Sequence, residues 1–204
     1  LREELGDRRV ALAEALEIGK KATLTPHPHP ITNILVTGLG GSGMGADVVI
    51  DLTANTLQVP LAVNKNYVLP AYVNQHTLVI ASSYSGNTEE TTNALQIALD
   101  RKAKIVCVTT GGVMEKMASE HGLDLIKLPS GRPPRASLGY SFIQQFFILQ
   151  HFGFIGNGFI AEVEAAIALL AKEEDNIKTQ SAAWAKTMAH QVPIIYAPDG
   201  YGSA

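Results

Sequence analysis

The sequence contains a single cysteine, Cys107, among its 204 residues. One cysteine cannot form an internal disulfide, and by itself it cannot hold a structural metal ion. Cys107 lies inside the apolar run 105–108, which is typical of a buried strand. We therefore interpret it as a core residue and expect a reducing, cytoplasmic setting, in which thiols stay unpaired.

The sequence also has no large excess of positive or negative charge. Lysine and arginine together number 16 against 19 aspartates and glutamates, which gives a formal net charge of −3. Because nucleic acid and anionic membranes would meet no dominating positive field, we expect neither as the main partner. The hydrophobic fraction of 46% excludes a disordered chain and is sufficient for one buried domain, or for one domain and the start of another.

No apolar run is long enough for a membrane span. The segment 136–161 carries no formal charge, but glutamines, His151 and glycines interrupt it. A spanning helix needs about 20 predominantly apolar residues. We therefore interpret its most apolar part, residues 140–152, as a buried helix rather than as a membrane anchor.

Short apolar runs alternate with helical patterns over most of the sequence. Strands are predicted at residues 34–36, 59–63, 77–81, 104–108 and 123–128, and helices at 5–18, 42–54, 87–102, 113–120, 135–152 and 159–190. Continuous apolar strands that alternate with helices indicate a parallel sheet covered on both faces. The predicted fold class is therefore α/β, a three-layer αβα domain with a five-stranded parallel sheet.

Glycines in the segment 153–158 mark a domain boundary. We divide the chain into an N-terminal helix with a proline-rich segment (1–30), a first domain (31–153), and a linking helix with the truncated start of a second, similar domain (154–204). A strand predicted at 193–197 and the Gly-Ser turn after it repeat the strand and turn that end at residue 43. Because the sequence lacks an initial methionine and stops at this turn, we expect it to be part of a longer chain.

The uncharged helix at 140–152 also leads to a prediction about assembly. This helix is apolar nearly all round, and one five-stranded sheet cannot cover both of its faces. We expect the helix to be buried against the second domain, and we expect the complete protein to be a homodimer.

A glycine-rich turn, Gly38-Leu39-Gly40-Gly41-Ser42-Gly43, follows the first predicted strand and opens a helix. It fits the dinucleotide pattern G-x-G-x-x-G, but the acidic residue expected after the second strand is replaced by Asn64-Lys65-Asn66. A dinucleotide-dependent oxidoreductase is therefore the least favoured interpretation. Glycines let the backbone approach an anion, and the amides at a helix start attract it. The alternative is a tight turn in which Ser42 is the N-cap.

A serine-rich loop follows the third predicted strand and also precedes a helix. Ser83, Ser85 and Thr88 place three hydroxyl groups around Gly86. These are neutral donors without a Walker lysine, which suits a phosphate monoester better than a nucleoside triphosphate with magnesium. A helix cap needs one hydroxyl, so three hydroxyls and a glycine favour a binding loop.

Both loops follow parallel strands, so they are expected at the carboxyl edge of the sheet, where α/β proteins bind ligands. The segment Ser83-x-Ser85-Gly86-x-Thr88-x-Glu90, with Gly40-Gly41-Ser42-Gly43 upstream, resembles a sugar isomerase (SIS) domain. The run Pro133-Pro134-Arg135-Ala136-Ser137-Leu138-Gly139-Tyr140 is similar to the bifunctional phosphoglucose/phosphomannose isomerases, a branch of the phosphoglucose isomerase superfamily with two SIS domains. The resemblance covers residues 31–152 well and continues more loosely to the end of the sequence.

The resemblance implies roles for six residues. It places a sugar phosphate against Gly41, Ser42, Ser83, Ser85 and Thr88. It also places Arg135 in the site as a substrate-binding and catalytic residue near the reacting carbons. A guanidinium group there can stabilise an enediolate without changing its own charge. The alternative for Arg135 is a surface cation in a loop stiffened by prolines.

The function that the resemblance implies is aldose–ketose isomerisation. The reaction interconverts glucose 6-phosphate or mannose 6-phosphate with fructose 6-phosphate through an enediol or enediolate, and it requires a base and a ring-opening acid. The resemblance places these groups, a glutamate and a histidine from the partner subunit, beyond residue 204. The alternative function is a non-catalytic SIS module that binds a sugar phosphate as a regulatory ligand.

The sequence predicts neither a cofactor nor a metal site. His27 and His29 lie two residues apart in the proline-rich segment, without a carboxylate or thiolate nearby in the sequence. Such a pair is typical of a solvated loop, and we interpret the other histidines as structural or exposed.

Overall fold

In a computed structural model, the chain is described over residues 8–133, 137–194 and 196. The strands are β1 (Asn33–Thr37), β2 (Leu61–Asn64), β3 (Thr77–Ser82), β4 (Lys104–Thr109) and β5 (Asp124–Lys127). The helices are α1 (Arg8–Lys21), α2 (Gly41–Thr53), α3 (Glu89–Asp100), α4 (Gly112–His121), α5 (Leu138–His151), α6 (Gly158–Lys172) and α7 (Glu174–Met188). The strands pair in parallel in the order β2-β1-β3-β4-β5. The predicted five-stranded αβα fold is confirmed.

Helices cover both faces of this sheet, and each face has its own hydrophobic core. Ile34 and Val36 of β1 belong to the core under α1, α2 and α5, whereas Leu35 belongs to the core under α3 and α4. Successive side chains of a strand point to opposite faces, so a strand that is buried on both faces is apolar at every position. The continuous apolar runs of the sequence have this origin.

Helix α5 is covered within the described chain, so the expectation that a second domain buries it is wrong. Tyr140, Ile143 and Ile148 of α5 are fully buried. Helices α1 and α2 lie on the same face of the sheet as α5 and pack against it, and small residues let them approach closely. A Cβ atom on Gly19 of α1 would lie 1.9 Å from the Phe147 ring, and one on Gly45 of α2 would lie 3.3 Å from a methyl group of Leu138. Helices α1 and α2 therefore bury the surface of α5 that we expected a second domain to bury.

The C-terminal part of the chain also differs from the prediction. The single helix predicted at 159–190 is divided at Glu173 into α6 and α7, and α7 has no buried residue. Pro193, Ile194 and Tyr196 lie outside any strand, and residues 195 and 197–204 of the predicted strand and turn lie outside the described residues.

A buried ion pair lies at the amino ends of β4 and β5. Lys104 Nζ lies 2.8 Å from Asp124 Oδ2, and the two side chains are 9% and 5% exposed. Thr25 completes the network, because its backbone N–H donates to both carboxylate oxygens at 3.1 and 3.0 Å. Its hydroxyl donates to Asp124 at 3.0 Å and accepts from Lys104 at 2.7 Å. The network fastens the segment after α1 to the sheet.

The prediction that Cys107 is a core residue is confirmed, since it is fully buried in β4. Burial, followed by the negative charge of Asp124, raises the pKa of the Cys107 thiol to about 12. The thiol therefore stays protonated and unreactive at neutral pH.

None of the helices in the described part of the chain is both long and apolar enough to cross a membrane.

Candidate functional site

A cleft of about 280 Å³ opens where β1 and β3 end. These neighbouring strands lead into α2 and α3, which lie on opposite faces of the sheet. Such a crevice is where parallel α/β sheets bind their ligands. The cleft is lined by Leu39, Gly40, Gly41, Ser42, Ser83, Tyr84, Ser85, Thr88, Ser137, Leu138 and Ser141. The structure therefore brings together five of the six predicted site residues: Gly41, Ser42, Ser83, Ser85 and Thr88.

The glycine-rich turn packs too tightly for side chains at two of its positions. A Cβ atom on Gly38 would lie 2.7 Å from the Ser82 carbonyl oxygen, and one on Gly43 would lie 2.8 Å from that of Gly38. Gly40, with a φ of 53°, is the N-cap of α2. The alternative in which Ser42 caps the helix is therefore wrong. Ser42 lies in the first turn of α2 and adds its hydroxyl to the cleft wall.

The hydroxyl groups of the serine-rich loop accept hydrogen bonds from the loop backbone. Ser83 Oγ accepts from the Gly86 N–H at 3.1 Å, and Ser85 Oγ accepts from the Asn87 N–H at 3.3 Å. Ser83 Oγ and Thr88 Oγ1 also share one hydrogen bond of 2.8 Å. Each hydroxyl has one proton, so this pair keeps one proton for a ligand, and Ser85 keeps its own.

A glycine turn after β4 locks this loop in place, and the sequence analysis did not identify it. Gly86 has a φ of 70°, and a Cβ atom there would lie 1.8 Å from the Gly111 carbonyl oxygen. The Gly86 carbonyl accepts from the Met114 N–H at 2.9 Å, and the Tyr84 carbonyl accepts from the Thr110 N–H at 3.0 Å. The pair Gly111-Gly112, which begins three residues after the strand predicted at 104–108, was the available signal.

Three helices begin at the cleft, because the N-terminal ends of α2, α3 and α5 all contribute to its lining. Their N-caps are Gly40, Thr88 and Ser137, and none of the three makes a side-chain capping hydrogen bond. The amides of a first helical turn carry partial positive charge. Those of Ser42 and Gly43 donate to the Leu39 carbonyl and that of Tyr140 to the Ser137 carbonyl, so the other first-turn amides are the ones that can meet a ligand. The lining residues themselves carry no formal charge. The cleft can therefore attract an anion through the backbone and hydroxyl groups alone.

Arg135 lies outside the described residues, so its place in the site stays a prediction. The chain just before it is held by the serine-rich loop. Tyr84 Oη donates to the Pro129 carbonyl at 2.9 Å and accepts from the Arg132 N–H at 3.3 Å. The Arg132 guanidinium also lies 3.4 Å from the Glu14 carboxylate of α1.

The end of β2 offers no carboxylate for the ribose of a dinucleotide. Asn64 Nδ2 donates to the Asn66 carbonyl at 2.8 Å, and Lys65 pairs with Asp47 of α2 at 2.6 Å. This arrangement disfavours a dinucleotide-dependent oxidoreductase. Within residues 8–133, 137–194 and 196, no group of three or more His, Cys, Asp or Glu side chains could hold a metal ion.

The fold and the cleft define a doubly wound α/β protein whose candidate anion site lies at the carboxyl edge of the sheet. A comparison with family models matches residues 30–147 to the SIS domain. The chain belongs to the SIS domain family, as the sequence predicted.

Individual relatives agree with this assignment. The chain is 46% identical over 144 residues to the bifunctional phosphoglucose/phosphomannose isomerase of Caldicellulosiruptor bescii, a match that covers 71% of this chain and 42% of that protein. It is 32% identical over 176 residues to the enzyme of the same name from Thermoplasma acidophilum, which covers 84% and 52%. The chain thus spans about half the length of the curated relatives it matches. A crystal structure from Clostridium difficile 630 has a TM-score of 0.71 at 17% identity and covers 93% of this chain and 57% of that one, which supports the fold alone.

Proposed function

We propose that this chain forms the phosphate-binding part of a sugar-phosphate aldose–ketose isomerase. Its reaction interconverts glucose 6-phosphate or mannose 6-phosphate with fructose 6-phosphate through an enediol or enediolate. The observation that carries the proposal is the convergence of three uncapped helix starts and the serine-rich loop on one cleft. The names of the Caldicellulosiruptor and Thermoplasma relatives supply the reaction.

The chemistry of the cleft matches a phosphate monoester. A phosphate group at neutral pH carries between one and two negative charges, and its oxygens accept hydrogen bonds. Ser85 offers one hydroxyl proton and the Ser83–Thr88 pair offers another, and the helix starts add first-turn amides. Hydrogen bonds to a charged acceptor are shorter and roughly twice as strong as neutral ones. Donors without formal charge are therefore sufficient to hold a phosphate here.

The acid–base groups of the reaction are proposed to lie elsewhere. Moving a proton between C1 and C2 requires a base, and opening the sugar ring requires an acid. The described lining of the cleft contains no carboxylate, histidine or lysine. The proposal therefore places a glutamate and a histidine beyond residue 204, with the histidine from the partner subunit, and assigns stabilisation of the enediolate to Arg135.

A second candidate is a SIS module that binds a sugar phosphate as a regulatory ligand without converting it. The same observation supports it, since the described cleft has binding groups but no acid or base. The two candidates differ in turnover. In a coupled assay, the full-length protein should convert fructose 6-phosphate to glucose 6-phosphate if it is an isomerase. Binding without turnover in that assay would favour the regulatory function.

The serine-rich loop gives the direct test of phosphate binding. Replacing Ser83 and Ser85 together with alanine removes two hydrogen bonds to a charged group, each contributing roughly 1.5–3 kcal/mol. We expect the affinity for fructose 6-phosphate and for inorganic phosphate, measured by calorimetry, to fall by roughly 10²–10⁴-fold.

The matched control is the pair Ser119→Ala and Ser181→Ala, which removes two exposed hydroxyl groups that do not line the cleft. This control should bind both ligands as the unchanged chain does. Equal affinity of the Ser83/Ser85 variant and the control would refute the assignment of the phosphate to the serine-rich loop.

Assembly and location are also proposals. We propose that residues 154–204 lead into a second SIS domain and that the complete protein is a cytoplasmic homodimer. The single buried thiol, Cys107, is consistent with a reducing compartment. Ile177, Trp184 and Met188 of α7 are 45%, 64% and 46% exposed, and an apolar stripe of this kind favours association. Sedimentation of the full-length protein at micromolar concentration should show a dimer, and a monomer would contradict the proposal.

A further inference from the structure

Two serines at the start of α5, the N-cap Ser137 and Ser141 of the first turns, line the cleft, and the sequence analysis assigned no role to them. Ser137 and Ser141 are 2% and 3% exposed, and both belong to the cleft lining. Ser137 Oγ donates to the Pro133 carbonyl at 3.0 Å, and Ser141 Oγ donates to the Leu138 carbonyl at 3.2 Å. Each of these hydroxyls therefore uses its proton within the protein.

This arrangement is the opposite of that in the serine-rich loop. A serine hydroxyl has one proton and two lone pairs. Ser83 and Ser85 accept from backbone N–H groups, and the loop keeps two hydroxyl protons for a ligand, that of Ser85 and one of the Ser83–Thr88 pair. Ser137 and Ser141 donate to carbonyl groups, so they retain lone pairs that can accept hydrogen bonds. The hydroxyl groups thus divide the cleft into a donor side at the serine-rich loop and an acceptor side at α5.

The two ends of a sugar phosphate differ in the same respect, since the phosphate end accepts hydrogen bonds and the sugar end can also donate them. An ionised phosphate oxygen can only accept hydrogen bonds, whereas each hydroxyl group of a sugar can also donate one. We propose that Ser137 and Ser141 accept hydrogen bonds from sugar hydroxyl groups and direct the sugar from the phosphate site toward α5. This assignment rests on the proposed function, because it takes the serine-rich loop as the phosphate site. It makes the two serines determinants of specificity for a phosphosugar over other phosphates.

The test compares two ligands, fructose 6-phosphate and inorganic phosphate, by calorimetry on the chain. Ser141→Ala is the principal variant, since its hydroxyl bonds only to its own helix and alanine is a good helix former. Loss of one neutral hydrogen bond corresponds to a roughly 2–12-fold effect. We expect Ser141→Ala to weaken fructose 6-phosphate binding to this extent, and the double variant with Ser137→Ala to weaken it further. Inorganic phosphate binding should stay within about twofold of the unchanged chain.

The control is Thr179→Ala, which removes a hydroxyl that also donates to a carbonyl of its own helix, but on the exposed helix α7. It should leave both affinities unchanged. An equal loss for both ligands in Ser141→Ala, or no loss for either, would overturn the inference. A failure of the proposed function would be seen in a different measurement. In that case the affinity for inorganic phosphate would be unchanged when Ser83 and Ser85 are replaced with alanine.

Discussion

Replacing Gly86 with alanine is expected to weaken phosphate binding by up to roughly 10²–10⁴-fold and to destabilise the fold by roughly 2–5 kcal/mol. Alanine at a φ of 70° is strained by about 1–2 kcal/mol, and its Cβ atom would lie 1.8 Å from the Gly111 carbonyl oxygen. A clash with backbone atoms in a packed region adds about 1–3 kcal/mol. The loop must move to relieve it, and the Ser83 and Ser85 hydroxyls move with the loop. Urea denaturation and calorimetry with inorganic phosphate measure the two effects.

The control for this prediction is Gly122→Ala. Gly122 ends α4 with a φ of 63°, and a Cβ atom there would meet no atom within 4 Å. This variant has the backbone strain without the clash, so it should lose about 1–2 kcal/mol and bind phosphate normally. If Gly86→Ala is no more destabilising than Gly122→Ala and binds phosphate with the same affinity, the locking role of the Gly111 turn is wrong.

Replacing Asp124 with alanine is expected to cost roughly 3–5 kcal/mol of unfolding free energy, because it leaves the buried Lys104 ammonium without its counterion. The Thr25 N–H also loses its acceptor. The ion pair lies at the amino ends of the strands, and the cleft lies at their carboxyl ends. Thermal or urea denaturation should therefore show the full loss, whereas phosphate affinity of the folded variant should be unchanged.

An exposed ion pair provides the comparison. Glu115 and Lys127 form a salt bridge with side chains that are 36% and 56% exposed. Breaking it with Glu115→Gln should cost at most about 1 kcal/mol, because solvent screens exposed charges. The double variant Lys104→Met/Asp124→Leu should recover part of the stability lost in Asp124→Ala. Equal losses for Asp124→Ala and Glu115→Gln would show that burial does not strengthen the Lys104 pair.

The strands and the fold class could be predicted from the sequence because the physical signal is local. A strand buried on both faces is apolar at consecutive positions, and the run predicted at 77–81 is β3 (Thr77–Ser82). Which helix packs against α5 depends on the tertiary structure, so the composition of α5 could not show that α1 covers it. The break at Glu173 was missed because helical periodicity looks alike on both of its sides.

The candidate site was predictable where a sequence pattern fixes the backbone. The glycine-rich turn and the serine-rich loop each follow a strand and precede a helix, so their place at one edge of the sheet follows from parallel topology. Ser42 was a reasonable N-cap by residue type, but Gly40 takes that position. Ser137 and Ser141 were missed because serines at a helix start carry no distinctive signal. The role of Arg135 stays a prediction.

The three uncapped helix starts at the cleft have a consequence for how ligand binding responds to pH and to mutation. Their attraction for an anion comes from peptide dipoles, and peptide groups do not titrate between pH 5 and 9. Across this range, the attraction between the helix-start amides and the anion changes with pH only through the protonation state of the ligand. No single side-chain substitution can remove it either, because every residue type except proline supplies an amide proton. The attraction of the helix-start amides for an anion depends on the direction in which the three helices run. It persists as long as α2, α3 and α5 begin at this edge of the sheet.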